Sequence, residues 1–213
     1  MIRLTRSGLA IDATAAQLAE ARAEFDRVHC LRLKGFLDSP LLHVVQRALE
    51  QAEFYDRTHE GIGDELCLSP GPLSAGLEFL WNSQALRDLI DELTGCGPCG
   101  CFEGRVYRML PASGHYDSWH SDVGQDRRVA MSVNLSAGVY EGGATEFRLV
   151  DETEPFHRVA NTGFGDAILF RIDPGLRHQV TEVTGTVAKT ALAGWFRTVP
   201  DFDQAFRTRH ELR

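Results

Sequence analysis

The chain has 213 residues, 43% of them hydrophobic, and a formal net charge of -8. That length and apolar content suit one domain with a sizeable core, and an acidic balance without a basic stripe argues against nucleic acid as a partner. No apolar run approaches the roughly 18–20 residues of a membrane span, residues 1–16 lack the apolar stretch of a signal peptide, and five cysteines, an odd number, fit a reducing compartment better than a disulfide framework. The expectation is a cytoplasmic protein with no membrane partner.

Helical periodicity dominates the first half. Residues 12–28 read as an amphipathic helix with Leu18, Ala21 and Phe25 on one face. A short apolar run over 31–36 reads as a strand. Ser39 and Pro40 then open a second helix to about residue 54, with Ser39 as cap and Pro40 in the first turn. The polar, glycine-spotted stretch 55–71 reads as a loop, followed by helices near 74–80 and 83–93 that stop at Gly95. Cys96, Cys99 and Cys101 sit around a Gly/Pro turn and lack a fourth nearby zinc ligand.

From Gly100 the period changes from 3.6 to 2. Strands are expected over 101–110, 115–119, 127–135, 144–150, 157–159, 166–172, 177–183 and 187–198, separated by Gly, Pro, Asp and Asn turns. Eight short strands in succession suggest a jelly roll or barrel. The expected fold is mostly β with N-terminal helices: a double-stranded β-helix core over 100–200, buttressed by a helical support region over 1–99. A helix or tail over 201–213 completes what would be one compact domain.

The chemistry lies in the strand-rich half. His120, Asp122 and His178 can supply two imidazoles and one carboxylate to one face of a metal, the donor set of non-haem Fe(II) oxygenases. Lys189 offers a cation for a carboxylate of a co-substrate. His-x-Asp alone is weak, because His115 and Asp117 form a second copy five residues upstream. Residues i and i+2 of a strand share a face, so either copy could serve. His157 competes with His178 for the distal place, and Arg197 with Lys189 for the cation. Gly142-Gly143 and Gly163-x-Gly165 open no helix after a buried strand and read as turns rather than phosphate loops.

The stretch 107–196 resembles the catalytic core of the 2-oxoglutarate and Fe(II)-dependent dioxygenases, prolyl-4-hydroxylase-like branch. The likeness is carried, in order, by Tyr107, Gly114, His120-Ser121-Asp122, Arg127 and Arg128 leading to Asn134-Leu135-Ser136, and Tyr140-Glu141-Gly142-Gly143. It continues through residues 165–170 (GDAILF), His178-Gln179-Val180 and residues 189–196 (KTALAGWF). The resemblance implies Fe(II) on His120, Asp122 and His178. It implies the far carboxylate of 2-oxoglutarate on Lys189, where many members carry Arg, and further co-substrate contacts from Tyr107 and Asn134. It also implies O2 as oxidant, ascorbate as a reductant, and succinate and CO2 as products of a C–H hydroxylation. A carboxylate at Asp122, where related halogenases carry a small residue, points to hydroxylation. The substrate implied is a peptide or prolyl residue, an amino acid or a small metabolite. Three other readings stay open: a nucleobase dealkylase, a jelly-roll enzyme using the triad with another metal, and a jelly-roll binding protein without chemistry.

Overall fold

The structure, a computed structural model, describes residues 1–124, 126–160, 163–200 and 202. A hairpin of β1 (Ile2–Thr5) and β2 (Gly8–Ile11) precedes α1 (Ala15–Val28), β3 (Cys30–Leu33) and α2 (Ser39–Glu50). A second hairpin, β4 (Phe54–His59) and β5 (Gly63–Leu68), leads to α3 (Pro72–Trp81) and α4 (Gln84–Thr94). The strand-rich half contains β6 (Cys101–Met109), β7 (Asp117–His120), β8 (Arg127–Asn134), β9 (Glu141–Gly142) and β10 (Thr145–Leu149). It continues with β11 (His157–Val159), β12 (Ala167–Arg171), β13 (Leu176–Val180), β14 (Val183–Thr184) and β15 (Lys189–Arg197).

Local chemistry sets the helix ends. Thr14 and Gln17 form a capping box at the start of α1, each supplying the acceptor for the other's backbone N–H. The cap of α2 is Asp38 rather than Ser39: its carboxylate accepts the Leu41 N–H at 2.9 Å, and Ser39 is already helical. Helix α4 stops at Gly95, which takes the left-handed conformation (φ 54°) that glycine adopts without steric cost.

One antiparallel sheet runs in the order β11-β10-β13-β7-β5-β6-β15-β8-β12-β3, with β4 paired to β5. It curls on itself. Phe147 of β10 and Phe170 of β12 are remote in strand order, yet their rings lie 5.2 Å apart. This is the jelly-roll core expected from the sequence. Alternation along each strand then separates two faces. Val129, Met131 and Val133 of β8, Leu169 of β12, and Leu192 and Phe196 of β15 pack outward against Phe25, Phe36, Trp81, Leu89 and Leu93 in the main core. Residues at the opposite parity, such as Ala130 and Ser132 of β8, face the interior.

Three strand pairs escape the sequence pattern. The hairpin β1–β2 lies in a segment where no element was expected. The second is β4–β5, over the stretch expected to be a loop: its alternation is hidden because the inward-facing position 65 carries a glutamate rather than an apolar residue. The short pair β9–β14 was likewise not foreseen. The helix expected near 201–211 falls, apart from Phe202, outside the described residues. Among the described residues no helix is long and apolar enough to cross a membrane.

Candidate active site

Strands β7 and β13 lie side by side, and their register sets His120 opposite His178. The two imidazole rings are 4.2 Å apart. The chain leaves β7 just after His120, which brings Asp122 back toward both rings: its carboxylate oxygens are 3.9 Å from His120 Nε2 and 3.4 Å from His178 Nε2. One donor atom from each residue fits within 4.8 Å of the other two, the grouping of this kind found among the described residues. His115 is not part of it. That side chain is buried, and its Nδ1 accepts the Leu110 N–H at 3.0 Å. His157, on β11, and the cysteines Cys96, Cys99 and Cys101 are also outside the group.

Neighbouring groups orient each donor. His120 Nδ1 lies 2.6 Å from the Ser118 carbonyl; with Nδ1–H donating there, the lone pair of Nε2 is left for a metal. Burial, helped by the adjacent His178, pushes the His120 pKa down and favours that neutral form. Trp195 donates its indole N–H to Asp122 Oδ2 at 2.7 Å. Arg127 lies 3.8 Å from Asp122 Oδ1 and stacks on the Trp195 ring, 3.6 Å from its centroid. Burial alone would push the Asp122 carboxyl up, but His178, the indole N–H and His120 outweigh it and hold the group well below the usual carboxylate range. The ring of His178 is seated against Phe170, at 4.8 Å. Two imidazoles and an ionised carboxylate, each fixed by a neighbour and leaving coordination positions open, fit Fe(II).

The triad lies in a cavity of about 280 Å3 whose walls come from β4, β6, β7, β8, β13 and β15. Behind it a smaller cavity of about 10 Å3 shares Ser132 and Thr145 and ends at Lys189. Lys189 is 4% exposed, donates to the Gly143 carbonyl at 2.8 Å and stands about 6 Å from the rings of Tyr107 and Tyr140. Gly142 and Gly143 both have positive φ (68° and 58°), a conformation suited to glycine that turns this carbonyl toward the amine. Desolvation brings the Lys189 pKa down to about 8, opposed by the charge of Asp117.

The other residues expected at the site separate clearly. Tyr107 lines the main cavity, and burial raises its pKa well above the ordinary value, so it stays a neutral donor. Asn134 lines the small cavity beside Lys189, but its amide donates to the Gly163 carbonyl (3.2 Å) and its carbonyl accepts the Ser136 N–H (3.0 Å). Arg197 pairs with Glu103 at the opposite end of β15 from Lys189. Sequence reasoning missed Trp195 as the partner of Asp122. The signal was present: Trp195 shares strand parity with Lys189, six residues earlier. It also did not single out Glu65, which is buried 2.5 Å from Arg105, 3.1 Å from His59 and 3.6 Å from Arg57.

The fold and the donor set together define a non-haem iron oxygenase. Residues 104–197 match the family model of the 2OG-Fe(II) oxygenase superfamily. That stretch is the core of a 2OG-Fe(II) oxygenase, and the protein is an oxidoreductase, a 2-oxoglutarate-dependent dioxygenase that works with Fe(II). Its fold is shared with an oxidoreductase of the 2OG-Fe(II) oxygenase family from Burkholderia pseudomallei, at 16% identity, TM-score 0.68, and coverage of 92% of this chain and 96% of that one. A prolyl-4-hydroxylase from Pseudomonas putida superposes at TM-score 0.65 with 22% identity over 85% and 99% of the two chains. SnoN, the non-haem alpha-ketoglutarate-dependent epimerase from nogalamycin biosynthesis, superposes at TM-score 0.66 with 16% identity over 87% and 84%. No curated protein sequence matches the chain.

Proposed function

We propose that this dioxygenase hydroxylates an unactivated C–H of an amino acid, a peptide residue or a small metabolite, with His120, Asp122 and His178 as the iron ligands and Lys189 as the anchor of 2-oxoglutarate. The observation that carries the reading is the convergence of the three donors within 4.8 Å in a cavity whose wall residues Ser132 and Thr145 also line a small cavity at the buried Lys189. When bound, Fe(II) with 2-oxoglutarate supplies the oxidising chemistry, in which O2 is consumed, succinate and CO2 leave, and the substrate gains a hydroxyl.

The chain's own residues do the rest. Ser118 holds His120 in the tautomer that presents Nε2. Trp195 and Arg127 fix the plane of Asp122, so its charge is spent on the metal rather than on solvent. Lys189, as a point charge in a dry cavity, selects a carboxylate at the end of a chain long enough to reach back to the triad. Tyr107, neutral and buried, offers a hydroxyl on the same wall. Ala130, Phe170 and Val180 exclude water around the reacting C–H. The acidic chain fits a peptide or small molecule better than nucleic acid, and five free cysteines suit the cytoplasm.

An anaerobic titration of metal-free protein with Fe(II) and then 2-oxoglutarate tests the assignment through the visible charge-transfer band of the bidentate complex. Wild type and His115→Ala should develop the band, and His120→Ala and His178→Ala should not. A band lost only in His115→Ala would move the metal to the upstream His-x-Asp pair.

A further inference from the structure

Asp117 sits on β7, three residues before His120, and lines the same cavity as the triad. Every other charged group lining that cavity has a partner. Arg105 and Arg57 are held by Glu65, and Arg127 by Asp122 and the face of Trp195. Asp122 itself receives the indole N–H and approaches both histidines. Among the described residues no hydrogen bond or ion pair reaches the Asp117 side chain, although its backbone pairs with Val180 and Gly63. Desolvation and the charge of Glu65 push its pKa up, against the fields of His120, Arg105 and Lys189, so a cation beside it would favour the ionised form. Its side chain is half-buried in the cavity wall, where an acceptor-only carboxylate that no protein donor reaches is left for a ligand to complete.

The other contents of the site do not supply that donor. Fe(II) has its three protein ligands, and 2-oxoglutarate is anionic and is drawn to Lys189. The remaining occupant is the primary substrate. We infer that Asp117 binds a cationic nitrogen of the primary substrate, so that this enzyme oxidises a C–H of an amine-bearing molecule. The inference rests on the dioxygenase reading above and narrows it. A free amino acid or small amine and a lysine side chain of a peptide share the chemistry: a charged N–H donor entering a mouth whose guanidinium groups already face Glu65 and Asp122. Such a group makes a charge-assisted hydrogen bond in a water-poor pocket, where it discriminates most strongly. Asp117 is thus a specificity-determining residue.

The test is calorimetric binding to anaerobic protein loaded with Fe(II) and 2-oxoglutarate, using matched probes. The first arm sets free L-lysine, L-proline and cadaverine against their N-acetylated forms. The second sets end-blocked peptides carrying lysine against the same peptides carrying norleucine. In at least one arm the cationic member should bind more tightly by about tenfold or more, and the arm that responds identifies the source of the nitrogen. Asp117→Asn should erase that preference, and Asp117→Glu should restore part of it. Because Asp117→Asn keeps the shape of a half-buried side chain that makes no ion pair with the protein, the variant should melt no lower than wild type, so loss of preference cannot come from unfolding. Neutral probes binding as well as cationic ones in both arms, or an unchanged preference in Asp117→Asn, would overturn the assignment. The charge-transfer band recorded on the same samples reports the dioxygenase reading separately: its absence alongside a retained amine preference would sink that reading and leave Asp117 in place.

Discussion

Trp195 and Lys189 show how single side chains on β15 tune the site. The indole N–H of Trp195 is the hydrogen-bond donor that keeps Asp122 Oδ2 in place, at 2.7 Å. Trp195→Phe keeps an aromatic face for Arg127 and removes only that donor. Outer partners of this kind typically account for about 10–100-fold in metal affinity. The variant should therefore lose Fe(II) affinity within that range, measured by competition with a chelator, while its fold and melting temperature change little. Lys189 yields a pH dependence. Its ammonium, with a pKa near 8, is charged below that value and neutral above it. Affinity for 2-oxoglutarate should hold steady up to about pH 8 and then weaken, by at most about tenfold per further pH unit for one proton. Lys189→Met should bind more weakly at every pH and show no such break. A break that persists in Lys189→Met would place the titrating group elsewhere.

At the scale of elements, the β4–β5 hairpin explains both what the sequence hid and how the mouth is built. A buried strand position usually announces itself by an apolar residue. Here position 65 is a glutamate whose side chain is 0% exposed, so the alternation breaks and the segment looks like a loop. The core strands β6, β8, β12 and β15 were legible because alternate positions put Phe102 and Val106, Val129, Met131 and Val133, Ala167 and Leu169, and Leu192 and Phe196 into the main core. The proposed metal donors are suggested by the family's order of motifs rather than by spacing, since the His-x-Asp pattern occurs twice and only tertiary pairing commits His115 to a backbone N–H. Glu65 has a cost and a function. Burial pushes its pKa up, but Arg105, Cys67 and His59 bring it net below the ordinary carboxylate value. The stabilisation from its ionised form is therefore complete above that ordinary value, and is lost as pH falls through the lowered one. Glu65→Gln should cost about 3 kcal/mol at neutral pH, the low end for breaking a buried pair, since Arg105 retains some access to water. It should also flatten the acid limb of the stability curve measured by denaturant titration. An unchanged acid limb would mean that the hairpin is held by its backbone pairing alone.

Across the whole molecule, the curled sheet divides stability from chemistry by strand parity. On β15, Leu192 and Phe196 point outward into the core formed with α1, α3 and α4, whereas Lys189, Ala191 and Trp195 point inward. The two sets alternate one residue at a time, so a single strand can be probed for both. Leu192→Ala removes a buried side chain from the main core and should cost about 2–5 kcal/mol, depending on how far the helices collapse onto the space. The interior wall is untouched by that change, so 2-oxoglutarate affinity of the folded fraction should stay within about twofold of wild type, far less than the same energy would imply at the site. Ala191→Leu does the opposite. Ala191 is 1% exposed and lines the small cavity beside Lys189, so the added carbons fill the space a carboxylate needs to reach the amine. Affinity for 2-oxoglutarate should fall by a hundredfold or so, while overpacking limits the stability loss to about 1–3 kcal/mol. Calorimetry with 2-oxoglutarate beside urea unfolding reads both axes on both variants. If Leu192→Ala weakened the co-substrate as much as Ala191→Leu, the helical layer would be shaping the pocket directly, and the two faces of the sheet could not be treated as separate.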